Sequence, residues 1–579
     1  MLVTTATVST CVIAAFVVAI ATPTTMSRAA AFQIASPCSD YTPPVDGFAI
    51  LQHPKRRGSS RIGMLALSGT SEPTVEIGDD SGERSVTTTK QLEEYFEDKD
   101  RRFRKRKDGG DTIDYDSLLS SLYVEGDTQI VGSTEDHRLV HPVVKLVHER
   151  KRAIDEIKRN SPAPQGFSKR VVPPDDGCKV ALAVEGGGMR GCLTAGMVAA
   201  IHHLGLEDTV DVVYGSSAGT VIGSYFITRQ LPWFGPELYY DSLTTAGSKF
   251  INTKRFLRAV GLGFLNPYLI KDTLFRRNNG KPVLNLSYLL EDTMQRNKPL
   301  DWERFKMQQE VQPLKVMASG LKSGRPIIMD FEKGSFSNLE ELGNCMRASC
   351  LLPGVAGPVM NLQGSADRSW TLTPMNGFQG GEDCEPMADS LLYAPIPYQP
   401  AIDEGATHVI CLRSRPDGTD VSGRSSFFEK MIVRRFLLRK NGLKEAYKYM
   451  KSNFHKKLYA KQVLELNEGA RDMDRPYTDT SRPHLLPIAV KPGSPEVSKL
   501  ETGREAIFEG VRRGFARCYD SLVEDPEQRG RGMDVARQVF PDQILEYDPL
   551  EYTSTTKSAF RAYLESPEAD PEDIKLSGS

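Results

Sequence analysis

Short, wholly apolar runs alternate along this chain with longer stretches of helical periodicity. Val180-Ala-Leu-Ala-Val184 is one such run and leads into Glu185-Gly-Gly-Gly-Met-Arg-Gly191. Apolar positions then recur through Val198 to Leu204. A second run, Val210-Asp-Val-Val-Tyr214, ends in Gly215-Ser-Ser-Ala-Gly219, and helical spacing resumes over Val221 to Ile227. Apolar runs of this length closed by glycine predict buried strands, and the stretches between them predict crossover helices. Leu314 to Ser319 and Arg325 to Phe331 predict a pair of strands around Lys322-Ser-Gly324. Alternating strands and helices point to a mainly parallel sheet covered on both faces.

Flanking segments carry their own patterns. His137 to Arg159 has apolar residues at Leu139, Val143, Val144, Leu146, Val147 and Ile154, which predicts a helix packed on the sheet domain. Lys and Arg far outnumber acids from Glu429 to Leu466, and apolar residues recur there at helical spacing. Arg434, Arg435, Arg439, Lys440, Lys444, Lys448, Lys451, Lys456 and Lys457 are expected on polar helix faces. Such a stretch is a packed helix with a charged outer face, or a peripheral contact with an anionic lipid surface. Leu485 to Val490 and Glu505 to Leu522 repeat strand then helix. Asn361 to Met387, rich in Gly, Ser and Asp, is expected to be an irregular loop over the site. Ser242 to Asn278, with Phe256, Phe264, Tyr268 and Phe275, is expected to line an acyl-chain groove or to pack as a connector.

Composition narrows the function classes. A formal net charge of −2 over 579 residues argues against general nucleic-acid binding. Nine cysteines without a Cys-x-x-Cys pair or a histidine cluster argue against a zinc site and a disulfide scaffold, and the chemistry read below implies no metal and no cofactor. Cys11 to Ala21 is an apolar run of signal-peptide length, followed by an Ala29-x-Ala31 cleavage pattern and a basic, acid-poor tract through about residue 75. That order resembles the bipartite plastid presequence of algae with secondary plastids. Plain entry to the secretory pathway and a retained membrane anchor are the alternatives. The resulting partition is 1–31 signal-like, 32–75 transit-like, 76–132 polar linker, 133–178 helical lead-in, 179–416 catalytic domain and 417–579 a mostly helical extension. Oligomeric state is not legible.

Two turns carry the chemistry. Gly215-Ser216-Ser217-Ala218-Gly219 has the Gly-x-Ser-x-Gly form of a nucleophile elbow, in which a serine stands on a strained strand-to-helix turn. Gly186-Gly187-Gly188-Met189-Arg190-Gly191 offers backbone N–H groups at a helix start, where negative charge is favoured. Gly186-x-Gly188-x-x-Gly191 also fits a dinucleotide-binding turn, which wants an acid at the far end of the next strand. Asp208 and Asp211 lie at the near end instead. A nucleophile and an anion hole one crossover apart are what acyl transfer needs.

These two motifs, together with Cys345-Met-Arg-Ala-Ser-Cys-Leu-Leu-Pro-Gly354 and Asp389-Ser-Leu-Leu-Tyr-Ala-Pro-Ile-Pro397, resemble the patatin-like phospholipase family. The resemblance implies a three-layer α/β fold with helical N- and C-terminal extensions, and a serine–aspartate dyad acting on a lipid substrate. It implies Ser217 as nucleophile and Asp389 as base. The N–H groups of Gly187, Gly188 and Met189 would hold the oxyanion, and Arg190 would help by charge or by fixing the loop. The implied activity is hydrolysis of fatty-acyl esters. A weakened lipid-binding scaffold and an acyltransferase are the alternatives. Ser390 and Leu391 stand where the family carries glycine and a small residue, so a reshaped turn is expected. Glu382, Asp383 and Glu385 are rival acids. His202 and His203 fall on the crossover helix and His408 in an apolar strand, so no histidine follows serine and acid in the usual hydrolase order.

Overall fold

The structure, a computed structural model, describes residues 140–567 apart from 161–168, 231–233, 253–281, 353–354, 358, 365–369, 376–383, 418, 420–429, 431–432, 492 and 553–557. The segments expected to be signal-like and transit-like, the expected polar linker and the aromatic residues Phe256, Phe264, Tyr268 and Phe275 lie outside the described residues, as do Glu382 and Asp383.

In chain order the elements that build the site are α1 (Pro142–Asn160), β1 (Val180–Val184), α2 (Gly191–His203), β2 (Val212–Ser216), α3 (Ala218–Ile227), β3 (Leu314–Gly320), β4 (Arg325–Met329) and α4 (Leu339–Cys350). They continue as β5 (Val359–Gly364), β6 (Trp370–Met375), β7 (Cys384–Ala388), β8 (His408–Leu412), α5 (Lys444–Lys451), α6 (Phe454–Ala470), β9 (His484–Ile488) and α7 (Arg504–Leu522). The strands form one sheet in the order β6-β5-β7-β3-β2-β1-β8-β9, with β4 paired to β3. Its centre, β3-β2-β1-β8-β9, is parallel.

Every residue of β1 is buried because both sheet faces are covered. Val180, Leu182 and Val184 join one apolar cluster, while Ala181 and Ala183 join the other. Short parallel strands then end together, and the loops after β1, β2 and β8 meet at one edge, where α/β sheets place their sites.

Two expectations are corrected. The described parts of 361–387 are not an irregular loop. They contribute to β5, β6 and β7, which pair antiparallel and attach to the end of β3 through Ser319–Ala388 and Gly320–Met387. The basic stretch is not one amphipathic surface either. A helical break at 441–443 and another at Ser452–Asn453, the latter with φ 58° at Asn453, divide it. Lys456 and Lys461 of α6 are buried, while Arg434 and Lys444, Lys448 and Lys451 of the preceding helices remain exposed.

The chain beyond 416 completes the sheet and covers it. β9 pairs in parallel with β8. α7 packs along α2 so closely that a Cβ on Gly514 would lie 1.9 Å from the Leu193 carbonyl, and one on Gly196 would lie 2.0 Å from that of Val511. His203 of α2 packs against Phe515 and Tyr519 of α7, and burial pushes its pKa down to about 4.

Candidate active site

The second turn begins where β2 ends. Ser217 takes φ 52° and ψ −121°, a conformation that L-residues rarely hold. Surroundings fix it there. Its N–H donates to Ser349 Oγ at 2.8 Å, and its carbonyl accepts from Thr220 N at 3.0 Å and Thr220 Oγ1 at 2.8 Å. Gly219 allows the close approach of α3 to β1: a Cβ there would sit 2.2 Å from the Val184 carbonyl. Neighbouring Ser216 points into the protein and donates to the Ala394 carbonyl at 2.7 Å. Ala218 opens α3, whose N-terminus favours negative charge beside the hydroxyl.

Ser217 Oγ donates to Asp389 Oδ2 at 3.1 Å. Asp389 follows β7, and its N–H is held by the Leu351 carbonyl at 2.9 Å. Its other oxygen, Oδ1, accepts from Leu391 N at 2.8 Å, which fixes the carboxylate plane. This turn explains why Ser390 and Leu391 are tolerated. Residues 390–392 form a single 3-10 turn, and neither Ser390 nor Leu391 has a positive φ. The carboxylate itself caps the turn. Glu385 is engaged elsewhere: its carboxylate accepts from the backbone of Lys322 and Ser323 at the β3–β4 connection.

The glycine loop lies across from this pair. Ser414 Oγ donates to the Gly186 carbonyl at 2.5 Å, and Arg190 N donates to that of Gly187 at 3.3 Å. Gly188 has φ +61°, which favours glycine. Gly191 donates back to the Gly188 and Met189 carbonyls as α2 begins. Among the described residues no partner takes the N–H groups of Gly187 or Gly188, and both residues line the cleft with Ser217. Met189 corrects the expected donor set. Its N–H is committed to the Lys499 carbonyl at 3.1 Å and is not available to an oxyanion. Arg190 is buried and fixes the loop: Nε donates to the Val497 carbonyl at 3.0 Å and Nη2 lies 2.7 Å from Glu496 Oε1.

The cleft above these groups has about 860 Å³ of space, counted out to its open mouth. One wall is apolar, from Tyr239, Leu243, Phe250, Leu284, Leu286 and Leu289. Of the stretch 242–278, Leu243 and Phe250 line this cleft. Glu185, Ser414, Arg415 and Lys499 add polar groups to the lining. Cys350 also lines the cleft, but burial pushes its thiol up to about 12, so it is protonated at neutral pH.

Among the described residues no histidine lines this cleft. His408 stacks on His484 within the sheet, with ring centroids 4.7 Å apart, and burial pushes it down to about 3. Asp211, the acid considered for a ribose, binds Val180 N at 2.6 Å together with Arg150 and Arg170 at the opposite edge of the sheet. Among the described residues no His, Cys, Asp and Glu group is arranged to hold a metal ion.

Sequence reading missed Ser349, Ser414, Glu496, Val497 and Lys499. Ser349 lay within a recognised segment but gave no sign that it would hold the elbow amide. The other contacts join residues more than two hundred positions apart. The strained serine, its aspartate and the glycine loop all fall within residues 182–402, the part of this chain that matches the family model described as patatin-like phospholipase.

Proposed function

We propose that this protein is a serine lipid acyl hydrolase that cleaves fatty-acyl esters of phospholipids, galactolipids or neutral lipids through Ser217 and Asp389. The reading is carried by one observation: a strained serine hydroxyl within 3.1 Å of a carboxylate, in a cleft that Gly187 and Gly188 also line. Ser217 Oγ attacks the ester carbonyl as its proton passes to Asp389 Oδ2. The amides of Gly187 and Gly188 receive the oxyanion. When the tetrahedral species collapses, the alcohol or lysolipid leaves with the proton from Asp389. Water then attacks the acyl-enzyme, with Asp389 again accepting the proton. The apolar wall around Leu243, Phe250 and Leu286 supports an acyl chain as the group that enters.

A fluorophosphonate probe tests this directly. Wild type is expected to give one adduct, on Ser217, and Ser217→Ala to lose both labelling and ester hydrolysis with an unchanged unfolding transition. An adduct on Ser216 or Ser349, or hydrolysis surviving in the variant, overturns the assignment. Acyl transfer to an alcohol acceptor shares every step up to deacylation, and product analysis with and without acceptor separates the two.

Peripheral contact with anionic lipid is the second part of the proposal. Among the described residues no helix is long and apolar enough to cross a membrane. Lys444, Lys448 and Lys451 form an exposed basic row on α5, and Tyr449 on the buried side donates to the Leu392 carbonyl at 3.1 Å, next to the Asp389 turn. Each basic residue near an anionic surface contributes about 1 kcal/mol at low salt. Neutralising all three lysines is expected to weaken vesicle co-sedimentation at low salt and to leave hydrolysis of a short soluble ester unchanged. Equal binding at low salt removes this part.

A further inference from the structure

We propose that residues 496–500, which connect β9 to α7, are a structural half of the oxyanion loop, and that Glu496 is a positioning residue acting on that loop through Arg190. This rests on the assignment of Gly187 and Gly188 as oxyanion donors made above.

Several independent contacts converge on one short strip. Lys499 O accepts from Met189 N at 3.1 Å, the residue after the two open amides. The same carbonyl lies against Gly188, where a Cβ would come within 2.8 Å of it. Val497 O accepts from Arg190 Nε at 3.0 Å. Glu496 closes the set with its ion pair to Arg190, a guanidinium whose side chain is only 3% exposed. Lys499 and Leu500 then continue onto the cleft wall. The loop is therefore gripped immediately downstream of both donors by a segment about three hundred positions further along the chain.

The physical need for such a grip follows from the loop itself. Three consecutive glycines have more backbone freedom than any other residues, so the loop alone would not hold two amides in one direction. An oxyanion hole works because its dipoles are already aimed before the charge develops, and sub-ångström misplacement is costly. α7 secures the other side. It packs on α2, the helix that the loop opens into, through Gly196 and Gly514, and Gly510 of α7 stands close to both Val497 and Cys192. Segment, loop and the start of α2 thus form one unit.

Glu496→Gln in the full chain tests the proposal, with Glu496→Asp as the conservative comparison. Glu496 is a peripheral member of the set, with a side chain 17% exposed, so folding is expected to survive. Three quantities are read: steady-state hydrolysis of a soluble short-chain nitrophenyl ester, the rate of fluorophosphonate labelling, and hydrogen exchange of a peptide spanning 186–191. For Glu496→Gln, kcat is expected to fall about tenfold while KM stays within about twofold, because the interaction matters only once the oxyanion forms. Labelling slows in parallel and exchange over 186–191 accelerates. Glu496→Asp recovers part of kcat. Wild-type kinetics and exchange in Glu496→Gln overturn the inference. So does a lowered unfolding midpoint with kcat per folded molecule intact, which would make the contact merely structural. If wild type neither labels nor hydrolyses, the proposed function fails, and the exchange of 186–191 still decides whether Glu496 holds the loop.

Discussion

The two edges of the parallel sheet use similar polar chemistry to opposite ends. At the N-terminal edge every strong group of the central network is matched. Arg150 on α1 donates to Asp176 at 2.6 and 2.8 Å, to Asp211 at 2.7 Å, and to the carbonyls of Cys178 and Thr209. Arg170 meets the other oxygen of Asp211 and the carbonyls of Asp208 and Val311. At the C-terminal edge the groups are held from behind and left open in front. Ser217 and Asp389 have their backbones pinned, and the amides of Gly187 and Gly188 face a cleft. A saturated buried network holds elements together, whereas a pinned but open one can receive charge that develops on a substrate. Stability and catalysis are thus separable by sheet edge.

Arg150→Ala is expected to have the largest energetic effect. It leaves two partly buried carboxylates without their shared partner and should lower unfolding stability by about 3 kcal/mol or more in urea denaturation. Hydrolysis per folded molecule should stay at the wild-type level. A variant of full stability with lost hydrolysis would erase the distinction between the edges.

Asp389→Asn should do the reverse. The amide oxygen can still accept from Leu391 N, so the turn and the unfolding midpoint persist, while kcat falls about a hundredfold, the usual scale for lost acid–base help. Glu385→Gln should change kcat far less, since Glu385 serves the β3–β4 connection. Comparable losses in the two variants would move the base away from Asp389.

Gly188→Ala is milder. The new methyl is disfavoured at φ +61° and presses on the Lys499 carbonyl, so the loop must shift by a few tenths of an ångström. A fall in kcat of about tenfold is expected, with KM for a short ester unchanged. Full activity would mean that the amides of this loop do not serve as donors.

At neutral pH the smallest effect is expected from the buried histidines, whose influence appears only as pH falls. Burial lowers His141 and His203 to about 4 and His408 to about 3, so all three are neutral in the folded protein. Below about pH 6.5 the unfolded chain binds protons that the folded chain refuses. Their contribution to stability is therefore complete above about 6.5 and declines as pH falls toward 4. The slope is up to about 1.4 kcal/mol per pH unit for each histidine. Thermal melting between pH 7 and 4 should show this decline, and His203→Gln should flatten it. An unchanged slope would mean that His203 is accessible to protons in the folded state.

Legibility from sequence followed the locality of the contacts. β1, β2 and their glycine turns could be read because five apolar residues closed by glycine have few other structures available, and Ser217 could be read because the elbow is contained within five residues. Strands β5 to β7 could not be read in this way, since their stretch is rich in Gly, Ser and Asp and the antiparallel pairing that makes it a sheet margin is not a local pattern. The burial of Lys456 and Lys461 was likewise hidden. A lysine on a helix reads as surface unless the neighbouring element that covers it is known.

What the sequence determined by itself is the alternation of strand and helix, the strained serine turn and the glycine loop, because each depends on backbone preferences and side-chain sizes a few residues apart. Tertiary structure alone decided that Met189 is bound to Lys499 rather than open to the cleft and that Arg190 pairs with Glu496, and it brings Asp389, the acid the resemblance implied, to 3.1 Å from Ser217. Those choices depend on how β7, β9 and α7 pack at the sheet edge. Contacts between residues hundreds of positions apart are selected by the packing of the whole domain, which no local pattern encodes.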